Sequence, residues 1–147
     1  MNRLAIVEGA SVMKPIYFAA KAVVIHEGQF LAMHQPKFKT SSYELPGGKM
    51  EFGETAEQTV VREVFEETNL RVVPICLLDT WNFVGDDFQI TGVIFLCMTD
   101  NIDNFTLSDE HDSYEWLPAN AESAEKMQVL FRPQMQRWDW DMILAQR

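Results

Sequence analysis

The chain has 147 residues, of which 47% are hydrophobic and 23% are charged, and its formal net charge is −10 at pH 7. This composition is that of an ordinary globular protein, so it excludes a disordered or collagen-like chain and predicts a single domain over residues 1–147. The acidic balance disfavours nucleic acid polymers as partners, because the only closely spaced lysines are Lys37, Lys39 and Lys49.

The first predicted elements are two strands. Two mainly apolar segments, residues 17–25 and residues 29–34, have the residue pattern of β-strands. A short turn that contains glycine joins them, which predicts a β-hairpin. A polar loop over residues 36–42 follows. A short extended segment over residues 43–45 then ends at a Pro-Gly-Gly sequence.

The clearest predicted helix covers residues 56–68. Thr55 is a favourable N-cap and Gln58 stands three residues later, which is the pattern of a capping box. Asn69 follows the last helical position, where a left-handed residue often ends a helix.

The remaining segments predict further strands and then helices. Strands are predicted over residues 72–78, 88–99 and 113–117. Helical structure is predicted near residues 122–130 and again after Pro133. This order of elements favours a mixed β-sheet flanked by helices.

The sequence contains no strong signal for export or for a membrane. Its apolar runs are much shorter than the roughly 20 residues that span a bilayer, and residues 1–14 lack the apolar core of a signal peptide. Cys76 and Cys97 lie in separate apolar segments, which predicts two reduced thiols in the core. Together these features predict a cytoplasmic protein.

One face of the predicted helix over residues 56–68 carries three carboxylates. At roughly 100° per residue, Glu63, Glu66 and Glu67 share one arc of the helix. A divalent cation would relieve the repulsion between them, since hard cations prefer oxygen ligands. A solvated acidic face is the alternative. The glycine-rich loop before the helix favours a metal–phosphate site, because glycine lets the backbone approach a ligand.

Residues 48–70 also resemble the signature of a known enzyme family. Their sequence, GKMEFGETAEQTVVREVFEETNL, resembles the Nudix box, G-x5-E-x7-R-E-U-x-E-E-x-G-U, where U is a bulky aliphatic residue. The one departure is Asn69 in place of glycine, and Asn tolerates the left-handed conformation. The resemblance implies an α+β fold, an α/β/α sandwich, and hydrolysis of a diphosphate linkage in a nucleotide or a similar compound.

The resemblance also implies roles for individual residues. Four positions correspond to ligands of Mg²⁺, for which Mn²⁺ is an alternative: Gly48 through its carbonyl, Glu63, Glu66 and Glu67. Arg62 corresponds to an arginine that orients a catalytic glutamate. Glu54 corresponds to a glutamate that supports the site.

Further candidates lie outside the helix. Glu110 resembles a glutamate of the mutator-type (MutT-like) branch that binds metal or acts as the general base, and a solvated loop acid is the alternative. Glu63, oriented by Arg62, is the other candidate base. Lys49 and Lys39 are candidates to contact phosphate oxygens. The alternative is that both are exposed surface residues without a role in the site.

The resemblance favours a small nucleotide as the substrate. The short domain and the box look most like mutator-type enzymes, which convert a (deoxy)nucleoside triphosphate to the monophosphate and pyrophosphate. Nucleotide sugars, dinucleoside polyphosphates and a non-catalytic nucleotide-sensing module are the alternatives. Asn82 is a candidate to read a base edge. Five aromatic residues are candidates to stack on a base, with core packing as the alternative: Phe18, Phe38, Trp81, Phe83 and Phe88.

The C-terminal segment is apolar and leaves the oligomeric state open between monomer and homodimer. Its side chains either pack on the sheet or form a dimer contact. They are Trp138, Trp140, Met142, Ile143 and Leu144.

Overall fold

The computed structural model describes residues 13–146. The strands are β1 (Ile16–His26), β2 (Gln29–His34), β3 (Gly47–Lys49), β4 (Val73–Val84), β5 (Gln89–Met98) and β6 (Ser113–Pro118). The helices are α1 (Ala56–Thr68), α2 (Arg132–Arg137) and α3 (Trp140–Ala145), and two 3₁₀ turns span Ala121–Lys126 and Val129–Phe131. The sequence predicts no signal peptide in residues 1–14. Residues 1–12 of that segment lie outside the described residues.

The strands form one mixed sheet in the order β4-β5-β1-β2-β6, and β3 also pairs with β1. Strands β1 and β5 run parallel, with Ala20 opposite Val93, whereas the other strand pairs are antiparallel. The predicted β-hairpin between residues 17–25 and residues 29–34 is confirmed, because Ile25 pairs with Phe30.

Helices cover both faces of this sheet. On one face, Val60 and Val64 of α1 pack in a buried cluster with Leu31 of β2. On the other face, the C-terminal residues Phe131 and Trp140 pack in a second cluster with side chains of β1, β2 and β6. The predicted α+β fold, an α/β/α sandwich, is therefore confirmed.

Local chemistry fixes both ends of α1. The Thr55 hydroxyl accepts a hydrogen bond from the Gln58 backbone, and the Gln58 side chain accepts one from the Thr55 backbone. Asn69 ends the helix in the left-handed conformation, with φ of 61°. The predicted bounds, residues 56–68, match the observed Ala56–Thr68.

Two predictions about the second half of the chain are wrong in part. Strand β4 continues to Val84 instead of ending near residue 78, because it pairs with β5 along its full length. The predicted helix near residues 122–130 is replaced by the two 3₁₀ turns, since Met127 between them has an extended backbone.

The prediction of two core thiols holds only for Cys97, because Cys76 is exposed. Cys76 lies on β4, an edge strand whose pairing shifts register between Pro74 and Cys76. Burial raises the pKa of Cys97 to about 12.

The C-terminal apolar stretch packs mainly on the sheet. Trp140 and Ile143 are buried, whereas Met142 is 60% exposed. Within residues 13–146, no helix has the length and apolar character needed to cross a membrane.

Candidate active site

Two glycines of β3 allow its backbone to approach both β1 and α1. Gly47 has a φ of +137°, and a Cβ there would lie 2.1 Å from the carbonyl oxygen of Ala20. At Gly48, a Cβ would lie 2.4 Å from the carboxyl carbon of Glu63. The Glu63 carboxylate therefore packs directly against the Gly48 backbone, in space that any other residue would fill.

Arg62 joins several groups around this contact. Its guanidinium donates to both carboxylate oxygens of Glu54, with Nη2 2.9 Å from Oε1. Nη1 lies 3.1 Å from Glu63 and 3.2 Å from Glu66, and Nη2 donates to the Lys49 carbonyl at 3.0 Å. These hydrogen bonds hold the pKa of Glu54 at about 2 and raise the pKa of Arg62. The planar fork therefore fixes the side chain of Glu63 as well as the loop before α1.

Glu67 is the most deeply buried carboxylate of the helix face. Only 5% of the residue is exposed, and Oε1 accepts a hydrogen bond of 2.8 Å from the Gly47 backbone. Burial raises the pKa of Glu67 to about 8, although Lys21 and the Gly47 N–H act in the opposite direction. A cation beside this carboxylate would offset the burial cost.

The loop that carries Glu110 is attached to the end of α1. The backbone N–H of Ser108 donates to the carbonyl of Glu67 at 2.9 Å, and that of Thr106 donates to Thr68 at 3.0 Å. The attachment places Glu110 and His111 beside Glu67, so that one candidate ligand atom of each lies within 4.8 Å of the other two. Two carboxylates and an imidazole at this separation fit a divalent cation.

A buried ion pair underlies these groups. Lys21 of β1 donates to the Glu44 carboxylate at 3.2 Å and to the Leu45 carbonyl at 3.1 Å. Gln35 and His111 also hydrogen-bond to Glu44, at 2.6 Å and 2.9 Å. Although burial disfavours its ionised form, Lys21 and these hydrogen bonds hold the pKa of Glu44 at about 2. Burial disfavours the charged form of Lys21 as well, yet Glu44 and Glu67 raise its pKa.

These groups line a cleft of about 690 Å³, which is within the range of small-molecule sites. Five of the predicted site residues line it: Gly48, Lys49, Glu63, Glu67 and Glu110. Arg62 and Glu54 support it from the α1 side. The Glu66 side chain is 56% exposed and hydrogen-bonded to Arg62, and Lys39 is exposed on the neighbouring loop. In that loop it is Lys37 that lines the cleft.

Four of the five aromatic candidates line the same cleft: Phe38, Trp81, Phe83 and Phe88. Trp81 is 6% exposed and donates to the Ala19 carbonyl, which indicates a core role, whereas Phe83 is 42% exposed. Phe18 packs in the cluster beneath α1. Asn82 alternates away from the cleft and accepts a hydrogen bond from Gln89.

The model for the NUDIX domain matches residues 17–138. The chain belongs to the Nudix family. It is thus a hydrolase of phosphoanhydride bonds, as the resemblance of residues 48–70 implied.

Similar proteins agree with this assignment. The 8-oxo-dGTP diphosphatase of Proteus vulgaris is 36% identical over 85 residues, which are 56% of this Nudix chain and 76% of the relative. The MutT-like protein of Streptomyces ambofaciens is 33% identical over 112 residues, which are 76% and 69% of the two chains. The crystal structure of the MutT protein from Methanosarcina mazei Go1 has a TM-score of 0.75 at 26% identity and covers 92% of this chain and 100% of that chain.

Sequence reasoning missed two groups that line this Nudix cleft, Lys21 and Glu44, and the buried His111 that contacts Glu44. Lys21 gave a usable signal, because a single charge in a buried apolar strand requires a partner. Glu44 and His111 gave none, since their contacts form only when distant parts of the chain meet.

Proposed function

We propose that this Nudix hydrolase converts a (deoxy)nucleoside triphosphate to the monophosphate and pyrophosphate in a Mg²⁺-dependent reaction. The observation that supports this most is that three carboxylates besides the ion-paired Glu44 converge on one cleft, those of Glu63, Glu67 and Glu110. Similarity to the 8-oxo-dGTP diphosphatase of Proteus vulgaris favours a purine triphosphate, including an oxidised one. Water adds across one phosphoanhydride bond, and one proton is released.

The proposed metal ligands are Glu63, Glu67 and Glu110, with Gly48 through its carbonyl and Glu66 at the exposed edge. A divalent cation bound there would neutralise phosphate charge and lower the pKa of the attacking water. The fit rests on oxygen donors, which suit Mg²⁺. It also rests on the buried carboxylate of Glu67, whose charge is only partly balanced by Lys21.

The protein's own cations complete the phosphate site. Lys49 and Lys37 line the cleft beside the carboxylates. The ammonium of Lys49 lies 4.0 Å above the Tyr17 ring, which restricts its position at the cleft entrance. Both lysines can contact phosphate oxygens as point charges and help to align the reacting phosphorus.

Two residues are candidates for the general base. Glu63 is held by Arg62 against Gly48, and burial raises its pKa even though Arg62 opposes the shift. Glu110 is exposed and lines the cleft, and one of its carboxylate oxygens lies within 4.8 Å of a carboxylate oxygen of Glu67. The pH dependence of kcat for Glu63→Gln and for Glu110→Gln distinguishes them, because loss of the base removes the acidic limb of the profile.

A nucleoside can occupy the aromatic end of the cleft. Phe83 and Phe88 lie 6.0 Å apart between ring centroids and are both more than one third exposed. Exposed rings at a cleft suit stacking on a base, which is worth roughly 1–3 kcal/mol per base.

Hydrolysis of a substrate panel tests the proposal. The panel holds nucleoside triphosphates, 8-oxo-dGTP, nucleotide sugars and dinucleoside polyphosphates, each with and without Mg²⁺. Glu67→Gln should abolish cleavage, whereas Glu122→Gln, an exposed acid on the first 3₁₀ turn, should leave it unchanged. If nucleotide sugars or dinucleoside polyphosphates are cleaved preferentially, the proposed triphosphate substrate is wrong and the preferred class is the substrate. Nucleotide binding without cleavage would support a sensor instead.

A further inference from the structure

His111 has one ring nitrogen without a partner in a fully buried position. Its side chain is 0% exposed, and Nε2 lies 2.9 Å from Oε2 of Glu44. Nδ1 is buried and has no hydrogen-bond partner among residues 13–146. A buried polar atom without a partner is unfavourable, so Nδ1 requires a partner that the described residues do not supply.

Glu44 determines which nitrogen carries the proton. Its carboxylate is ionised, because Lys21 and Gln35 also bind it, and it therefore accepts the Nε2–H of His111. In a neutral imidazole this leaves the lone pair on Nδ1. Proteins commonly orient a metal-binding histidine in this way, through a carboxylate that accepts the proton of the other nitrogen.

Neither of the other two histidines has a buried ring nitrogen without a hydrogen-bond partner. Both ring nitrogens of His34 have partners, the Asp112 carboxylate at 2.7 Å and the Thr40 carbonyl at 2.8 Å. His26 contacts the Thr99 carbonyl at 3.3 Å and the Glu27 carboxylate at 3.6 Å. Among the described histidines, only His111 has both a buried ring nitrogen without a partner and a ring nitrogen within 4.8 Å of carboxylate oxygens, those of Glu67 and Glu110.

We propose that His111 is a nitrogen ligand to the divalent cation of this cleft, alongside Glu67 and Glu110. This proposal depends on the proposed function in one respect, which is that the cleft binds a cation. It has a chemical consequence, since imidazole donors favour later transition metals over Mg²⁺. The site binds Co²⁺ more tightly, relative to Mg²⁺, than an all-oxygen site does.

Electron spin-echo spectroscopy of Mn²⁺ bound to the full chain tests this without any nucleotide. We expect modulation from a directly bound imidazole nitrogen, which changes when the protein is labelled with ¹⁵N-histidine. His111→Gln should remove the modulation, and His26→Gln should retain it. The isotope comparison uses the unaltered protein, so it decides the question even if His111→Gln does not fold.

Metal titrations give a second, independent measure. We expect His111→Gln to lower Co²⁺ affinity about tenfold or more and to change Mg²⁺ affinity much less. Bound Mn²⁺ without histidine modulation, an unchanged ratio of Co²⁺ to Mg²⁺ affinity, or no Mn²⁺ binding at all would overturn the proposal. Histidine modulation in a protein that cleaves no nucleotide would contradict only the proposed function.

Discussion

The backbone N–H of Gly47 donates a hydrogen bond of 2.8 Å to Oε1 of Glu67. This contact joins β3 to the last turn of α1 and holds the carboxylate in a nearly dry position. The glycine is required there by a φ of +137° and by the carbonyl of Ala20 at its Cβ position. The arrangement holds one oxygen of Glu67 in place where the residue lines the cleft, so that a cation in the cleft can bind the carboxylate.

Glu67→Gln should stabilise the metal-free protein at alkaline pH. The folded-state pKa of about 8 exceeds the ordinary value of 4.5, so the folded state binds the proton more strongly and stability falls as pH rises between these values. Glutamine keeps an acceptor for Gly47 without the charge. We expect the variant to have a higher Tm than wild type near pH 8 and the same Tm near pH 4.5. Each kcal/mol of added stability should raise the Tm by on the order of 3 °C. A lower Tm for the variant near pH 8 would contradict this account.

Gly48→Ala should reduce activity more than stability. The added methyl group would occupy the position of the Glu63 carboxyl and displace it from the cleft. We expect lower Mg²⁺ affinity and a kcat reduced about tenfold or more, since misplacement of a reacting group by an ångström costs up to about a hundredfold. Gly28→Ala is the control, because its φ is +77° in open space. That variant should lower Tm and retain kcat.

Arg62→Lys should impair the site even though the charge is preserved. The guanidinium binds Glu54 through two nitrogens and also reaches Glu63 and the Lys49 carbonyl, which a single ammonium cannot do. We expect kcat to fall by about tenfold or more with little change in KM, because Glu63 loses its orientation. Arg71→Lys, outside the cleft lining, should behave as wild type. Equal kcat values for Arg62→Lys and wild type would show that Glu63 needs no positioning.

How much of the site the sequence predicts depends on how far apart along the chain the contacting residues lie. Helix α1 was predicted with its bounds, because the capping box and Asn69 act within a few residues. The Lys21–Glu44 pair depends on the antiparallel pairing of β1 with β3, and it joins residues 23 positions apart. The contact of His111 with Glu44 spans 67 positions. Such pairings are set by sheet register and loop attachment, which single-sequence periodicity does not encode.

His34 should titrate above the ordinary histidine range. Its hydrogen bonds to Asp112 and to the Thr40 carbonyl raise its pKa above 6.5. Because the folded-state pKa is raised, the contribution to stability is complete below pH 6.5 and is lost as pH rises through the folded-state value. NMR titration of the ring proton measures the pKa directly. Asp112→Asn should lower it, and an unchanged value would exclude Asp112 as the main cause.

Lys21→Met should destabilise the fold strongly. The substitution leaves the Glu44 carboxylate buried without its cation, and breaking a buried ion pair costs about 3–5 kcal/mol. The double variant Lys21→Met with Glu44→Gln should be more stable than Lys21→Met alone, because the unpaired charge is gone. Urea denaturation of wild type, both single variants and the double variant measures the coupling.

Lys126→Met provides the matched control for that cycle. Lys126 also pairs with a glutamate at 3.2 Å, Glu115, but the two side chains are 58% and 41% exposed. Loss of this surface pair should cost less than about 1 kcal/mol. Equal losses of unfolding free energy for Lys21→Met and Lys126→Met would mean that the floor of the cleft is hydrated enough to tolerate a lone carboxylate. The dry environment inferred for Glu67 would then be wrong as well.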